Sequence, residues 1–457
     1  MSETEGKIMS AKRLILALLI VSAAIPSVYQ QELPPVTIRP RPSEEIILAV
    51  ADVQPVGQDR AAGISEAIKT FNQVLWDDLS FSGFFTMAGK SFYPPQPIVR
   101  PEELNYDAWD GLPFKISYLT AGTVESSGGS LKFELRVFDM KQRTQAGGGQ
   151  RITGDPDQVR AMAHRWADEI VYRLTAGASQ GIASTKIAYS SRRGNAKEIY
   201  VMDYDGYNPQ AFTHNGTNNL FPNWAPDNSK LAFLSFRTGK PEINIYSFTD
   251  GSRIPFPMFN TFTNAPAISP DGTEVVFSLR TPRGDADLFI SKLDGSDRRN
   301  ITNNPAIDTS PTWSPSGRQI AFASDRGGSA SQIFICDVDG GNLRRIVKEG
   351  GDADSPSWSP DGKWIAFHWK PRMSTGYDIF VAEASSGRTR QLTTSSGSNE
   401  SPSWSPDGRH IAFQSNRTGS TQIHIMLLDG SELRMITKQG NNTSPAWSGY
   451  FRKETGR

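Results

Sequence analysis

The side chains that most often carry catalysis or bind metals are scarce in this chain. There is one cysteine, Cys336, so an intramolecular disulfide and a cysteine-based zinc site are both excluded. No zinc-protease pattern or P-loop occurs, and no strand–turn–helix elbow that would present a serine is predicted. The five histidines are scattered, at His164, His214, His368, His410 and His424. The sequence therefore predicts no catalytic residue, no cofactor and no metal site.

The composition excludes two further classes of protein. The chain has 457 residues, with 48 basic and 48 acidic side chains, so its formal net charge is zero. A neutral chain argues against a nucleic-acid binder and against a polybasic membrane-surface protein. The 40 glycines and 30 prolines indicate many turns.

The first 24 residues resemble an export signal. Lys7, Lys12 and Arg13 precede an uncharged, mostly apolar run at residues 14–24. This run is too short to span a bilayer, which needs about 20 residues, and it ends in small residues suited to cleavage. No later segment is long and apolar enough to span a membrane. We therefore expect a signal peptide at 1–24 and an exported protein without a transmembrane segment.

A repeat of 43 to 46 residues fills the second half of the chain. Its clearest mark is the motif W-S-P-D-G or a close variant, with Trp or Ile at positions 224, 268, 313, 358, 404 and 447. Each copy continues with an apolar strand, a polar turn, an alternating strand, a turn that is most often Asp-Gly, and a short last strand. Four strands per period are typical of a propeller blade. The series opens on a second strand and ends on a first strand, so the C-terminal strand should complete the first blade.

The recurring tryptophans and aspartates are interpreted as structural. The tryptophans occupy one place in each blade, which indicates packing between blades. The aspartates sit in turns, and Ser316 replaces one of them, which a symmetric ring of metal ligands would not tolerate.

A smaller α/β domain is predicted before the repeats. Apolar residues at helical spacing predict one helix around Ile64–Leu79 and another from Val159 to Leu174, the latter opened by Asp155-Pro156. Strands are predicted at 45–53, 115–124 and 131–139. The expected organisation is a signal peptide at 1–24, a proline-rich extended arm at 25–44, an α/β domain at 45–176, a linker at 177–185, a six-bladed propeller at 186–451 and a tail at 452–457.

Taken together, these features resemble the TolB family of the Tol–Pal system. Two passages are more specific than the repeat: I-Y-V-M-D-Y-D-G-Y-N at 199–208 is similar to the family's opening blade, and S-P-A-W-S-G-Y-F at 444–451 to its closing strand. The resemblance implies a non-catalytic, monomeric periplasmic scaffold. Such a scaffold binds the lipoprotein Pal through the propeller and TolA through the N-terminal region, and it supports outer-membrane integrity and invagination during cell division.

The resemblance also implies where Pal would bind, near the channel mouth, in loops that lead into the W-S-P-D-G strands. The matched positions are Phe221, Ala265, Pro266, Thr309, Asp354, Glu400 and Ser444. Phe262 is added as an apolar anchor, since family members carry a histidine in this stretch. The proline-rich arm also departs from the family's TolA-binding stretch. The alternative is a propeller hydrolase or lyase that uses carboxylates in the channel.

Overall fold

The computed structural model describes residues 45–56, 62–96, 98, 101–259, 261, 263–328, 330–372, 374–394 and 397–451. The expected signal peptide, proline-rich arm and C-terminal tail lie outside the described residues, as does Phe262. None of the helices in the described ranges combines the length and the apolar character that a bilayer crossing requires.

The N-terminal part of the described chain is an α/β unit built on one mixed sheet. Its strands are Ile47–Val50, Gln54–Pro55, Thr86–Met87, Tyr118–Ser127, Ser130–Asp139, Thr144–Gln145 and Gln150–Gly154. The two long strands pair antiparallel through a turn at Gly128 and Gly129, whose positive φ angles of 62° and 88° favour glycine. The strand predicted at 45–53 is shorter in the structure, and the strand predicted at 115–124 is displaced by three residues toward the C-terminus. A β-rich run in the sequence does not show which of its residues will pair with another strand.

Two amphipathic helices cover this sheet. They are α1 (Ala62–Phe81) and α3 (Val159–Leu174); a short α2 (Tyr106–Asp110) and single 3-10 turns at Lys90–Phe92, Pro101–Glu103 and Pro156–Gln158 complete the unit. The periodic apolar residues of α1 face the sheet, and the Phe71 ring stacks on Phe133 with centroids 4.2 Å apart. Asp155 and Gln158 form a capping box ahead of α3, as Asp155-Pro156 predicts.

The repeats fold into six antiparallel four-stranded blades, which confirms the predicted fold class. Blade 1 has first to fourth strands Asn441–Trp447, Lys186–Arg192, Lys197–Asp203 and Gln210–Ala211; blade 2 has Asn219–Trp224, Lys230–Ser235, Glu242–Ser247 and Arg253–Ile254; blade 3 has Thr263–Ile268, Glu274–Arg280, Ala286–Lys292 and Arg299–Asn300. Blade 4 has Asp308–Trp313, Gln319–Ser324, Gln332–Asp337 and Arg344–Arg345; blade 5 has Gly351–Trp358, Trp364–Pro371, Asp378–Glu383 and Thr389–Gln391; blade 6 has Asn399–Trp404, His410–Ser415, Gln422–Leu427 and Arg434–Met435.

The C-terminal strand closes the ring, as the repeat order predicts. Trp447 pairs with Ile187 and Asn441 with Arg192, so the last strand of the chain is the first strand of blade 1. The first strands contact one another in turn around the ring and so surround its axis. This closure leaves only short outer strands as sheet edges, which limits edge-to-edge association.

The motif tryptophans join neighbouring blades, in agreement with their structural interpretation. Each is 6 to 8% exposed. The indole N–H of Trp313 donates to the carbonyl of Ala267 in the preceding blade at 2.9 Å, and Trp404 donates to Ser357 at 3.0 Å. The motif aspartates brace their own turns: Asp271, for example, accepts from the Ser269 hydroxyl at 2.6 Å and the Thr273 N–H at 3.1 Å.

A second contact between blades was not evident from the sequence. In four blades the hydroxyl of a threonine after the fourth strand accepts from the N–H of the second or third residue of the third strand, as Thr393 does from Ile379 at 2.9 Å; the others are Thr213, Thr302 and Thr437. Thr393 also donates to Asp378, which accepts from Asn399 at the start of the next blade. We call this arrangement the threonine staple. The staple links neighbouring blades by side-chain hydrogen bonds, since each blade is a separate sheet and no β-ladder joins one blade to the next.

Candidate functional site

Two faces of the propeller differ in what covers them. The first strands all begin at one face, which we call the mouth face, and end at the opposite face in the Ser-Pro-Asp-Gly turns. The α/β unit contacts that opposite face at blades 6 and 1. There, His410 Nε2 lies 2.8 Å from the Phe81 carbonyl oxygen, and Arg409 donates to the Gly83 carbonyl. The described residues of the α/β unit therefore leave the mouth face open.

Buried charged groups fix this contact. The Asp78 carboxylate of α1 lies 2.7 Å from His164 Nδ1 on α3 and accepts from the Tyr204 hydroxyl of blade 1, also at 2.7 Å. Burial lowers the pKa of His164, but the charge and hydrogen bond of Asp78, together with the charge of Asp205, outweigh it and raise the pKa to about 9. His164 is thus a cation at neutral pH, and it neutralises Asp78 where α1, α3 and blade 1 meet.

At the mouth face, each first strand contains a β-bulge two to four residues after its start. The bulge residue is not glycine, yet it has a positive φ of 46° to 54°, and a proline follows it in every blade. We call these six residues the mouth ring: Phe221, Ala265, Ser310, Ser355, Ser401 and Ser444. Proline is tolerated here because the first strand is the inner edge of its sheet and because the bulge interrupts the ladder.

Seven of the eight residues that the sequence singled out lie within these first strands. Phe221, Ala265 and Ser444 belong to the mouth ring; Pro266 follows it, and Thr309, Asp354 and Glu400 each precede it by one residue. The expectation that they lie in loops is wrong, because the strands begin before the bulge and the X-Pro pair marks the bulge itself. Sequence reasoning also missed Ser310, Ser355 and Ser401, which the alignment of the Pro positions could have found.

Side chains from neighbouring blades hold two residues of the mouth ring in place. The Ser401 N–H donates to His368 Nδ1 of blade 5 at 3.3 Å, and the Ser444 N–H donates to the Gln414 side chain of blade 6 at 2.8 Å. Burial lowers the pKa of His368 despite the nearby charges of Asp354 and Glu400. A neutral imidazole can accept the hydrogen bond from the Ser401 N–H, and this bond fixes the backbone there. Because the imidazole carries no charge, the Asp354 and Glu400 carboxylates make this part of the mouth anionic.

Among the described residues, the mouth contains no cluster of side chains that could bind a metal ion. The described residues as a whole include no group of three or more His, Cys, Asp or Glu side chains that could hold one. One segment, G-A-S-Q-G at 177–181, does match G-x-S-x-G, which the sequence analysis overlooked. It follows helix α3 instead of a strand, and Ser179 is buried with its hydroxyl accepting the Gly181 N–H at 3.1 Å, so it is not a nucleophile elbow.

Comparisons with known proteins agree with this architecture. The TolB beta propeller domain family matches residues 172–374 and 351–452, and the TolB amino-terminal domain family matches residues 35–146. The chain belongs to the TolB family. The curated relatives that it matches are named as Tol-Pal system proteins.

Individual relatives give the same result. The Tol-Pal system protein TolB of Bordetella avium is 33% identical over 269 residues, which are 57% of this chain and 56% of that protein. The TolB of Anaeromyxobacter dehalogenans is 31% identical over 306 residues, 66% of this chain and 67% of its own length. The chain spans about half the length of the first relatives it matches. The crystal structure of TolB from Acinetobacter baumannii superposes with a TM-score of 0.75 at 25% identity, over 90% of this chain and 98% of that one.

Proposed function

We propose that this protein is a monomeric periplasmic docking scaffold that binds the lipoprotein Pal at the mouth face of its propeller. The observation that supports the proposal is the mouth ring: six positive-φ bulges, two of them held by side chains of neighbouring blades, on the face that the α/β unit leaves open. A surface whose backbone is fixed before binding loses little conformational entropy on association. The proposed contacts are Phe221, Phe262, Ala265, Pro266, Thr309, Asp354, Glu400 and Ser444.

We further propose that export through the signal at 1–24 delivers the chain to the periplasm and that the N-terminal region binds TolA. In this role the protein links Pal to TolA and supports outer-membrane integrity and invagination during division. A chain that starts at residue 45 tests the TolA part of the proposal. It should keep Pal binding and lose TolA binding, and unchanged TolA binding would refute the assignment of the arm.

Site-directed photocrosslinking in cells tests the Pal site. A photoreactive phenylalanine at Thr309 on the mouth face should crosslink to Pal, whereas one at the exposed Thr273, in a turn of the opposite face, should not. Both positions lie in the propeller and differ in the face they occupy, so Thr273 controls for chance encounters. Equal crosslinking from both positions, or none from Thr309, would contradict docking at the mouth.

A further inference from the structure

The seam between blades 2 and 3 lacks the threonine staple. Where blade 3 has Thr302, strand pairing places Pro257 at the end of blade 2. A proline has no hydroxyl that could accept and donate the hydrogen bonds of the staple. The chain continues instead across blade 3, where Phe259 stacks on Phe277 with centroids 5.4 Å apart.

A groove opens on the flank of blade 3 beside this segment. Its volume is about 840 Å³, within the range of roughly 300 to 1,000 Å³ that ligand sites occupy. We call it the blade 3 groove. Its apolar lining is Met258, Phe259, Leu279 and Phe289, and its basic lining includes Arg280, Arg283 and Arg298. The Met258 side chain is 62% exposed in it.

The arginines of this groove differ from those of other blades. In blades 1, 4 and 6 an arginine of the loop between the second and third strands covers the aromatic rings of its own blade: Arg193, Arg326 and Arg417. In blade 3 the strand register places Thr281 at that position, and Arg283, two residues further along the same loop, pairs with Asp285, 2.7 Å away, and with Asp287. The Phe289 ring is thereby left to line the groove.

Two guanidinium groups in the groove have no carboxylate partner among the described residues. Arg298 lies over the rings of Phe259 and Phe289, at 4.8 and 5.7 Å from their centroids, and Arg280 stands exposed at the end of the second strand. The one lining carboxylate, Asp287, is fully buried and already accepts from Arg283, Asn300 and the Asn304 N–H. A guanidinium held on aromatic rings keeps its N–H donors available for an anion.

We propose that the blade 3 groove is a second docking site, separate from the mouth ring, for a peptide segment of a partner protein that carries carboxylates beside apolar side chains. The carboxylates pair with Arg280 and Arg298, and the apolar side chains pack on Met258, Phe259 and Phe289. Charge complementarity selects this occupant, since both unpaired groups are cations and the walls between them are apolar.

Methionine-methyl NMR of the full chain tests the proposal. The probe is the peptide acetyl-Gly-Glu-Phe-Leu-Glu-Gly-amide, and its matched control replaces both Glu by Lys. Met258→Leu assigns the Met258 signal. The Glu peptide should move that signal saturably at low salt; Arg298→Glu and Arg280→Glu should each weaken binding roughly tenfold, and Arg318→Glu, an exposed charge reversal in a turn of the opposite face, should not.

Several results would overturn the proposal. These are no movement of the Met258 signal at millimolar Glu peptide, equal movement with the Lys peptide, or unchanged binding by both charge-reversed variants. A Met258 signal that shifts with protein concentration alone would identify a second copy of this chain as the occupant instead. Arg298→Gln, which removes the charge but keeps a shorter polar side chain, distinguishes loss of charge from loss of fold.

Discussion

Replacing His164 should destabilise the contact between the α/β unit and the propeller in a pH-dependent way. The side chains of His164 and Asp78 are 5% and 2% exposed, and Tyr204, Asp205 and Arg160 complete the charged and titratable surroundings. His164→Gln removes the cation and leaves the buried Asp78 carboxylate with the Tyr204 hydroxyl. Breaking a buried ion pair from one side costs about 3–5 kcal/mol.

The pH window follows from the pKa of His164. It is raised from 6.5 to about 9 in the folded protein, which corresponds to roughly 3 kcal/mol of stabilisation. Because the folded pKa exceeds the unfolded one, this stabilisation is fully present below pH 6.5 and is lost as pH rises through 9. The difference in unfolding free energy between the native protein and His164→Gln should therefore shrink from ~3 kcal/mol near pH 6 to about 1 kcal/mol or less near pH 9.5.

Urea unfolding followed by tryptophan fluorescence at several pH values measures this difference. Asp168, whose pKa burial raises to about 7 although linker N–H groups donate to it, titrates in both proteins. His214→Gln, at an exposed position, is the matched control. Asp78→Asn combined with His164→Gln should recover part of the loss, since no unpaired charge is buried. A loss from His164→Gln that is the same at pH 6 and pH 9.5 would refute the ion pair as its cause.

Three further variants test the propeller. Thr393→Val should lower the unfolding free energy by about 1–3 kcal/mol, because the buried Ile379 N–H loses its acceptor. The control Thr389→Val should change the unfolding free energy little, and equal effects of the two variants would argue against the threonine staple. Gly206→Ala should lower the melting temperature far more than Gly251→Ala. A Cβ at Gly206 would lie 2.1 Å from the Ile436 carbonyl oxygen, whereas a Cβ at Gly251 would meet nothing within 4 Å. Similar melting temperatures of the two variants would contradict this packing. Ser401→Val should lower the unfolding free energy by ~1–2 kcal/mol, since a β-branched residue is strained at a φ of 53°. Ser401→Gly should leave the unfolding free energy nearly unchanged in the same denaturation assay, and no difference between the two variants would show that the bulge relaxes freely.

The sequence predicts those parts of the fold that repeat. Six copies of one strand pattern determine the blades, and the position of the last copy predicts the closing pair of Trp447 and Ile187. The helices of the α/β unit follow from apolar periodicity. Short strands such as Thr86–Met87 do not, since each depends on a partner strand distant in sequence.

The contacts between parts of the chain were not predictable from local pattern. Asp78, His164 and Tyr204 are far apart in sequence, and each alone resembles an ordinary helical or turn residue. The sequence treats Thr309, Asp354 and Glu400 as equivalents of Phe221 and Ala265, although each precedes a residue of the mouth ring by one position. The Pro that follows each ring residue gives the true alignment of the six strands, and no role was assigned to it from the sequence.

Calorimetric titration of residues 25–457 with the soluble domain of Pal from the same organism tests the central claim most directly. Saturable one-to-one binding that is weakened by Ala265→Glu and Thr309→Glu, but not by Thr273→Glu on the opposite face, is the expected result. Absence of binding at high micromolar concentration, or equal affinity for all three variants, would contradict docking of Pal at the mouth ring.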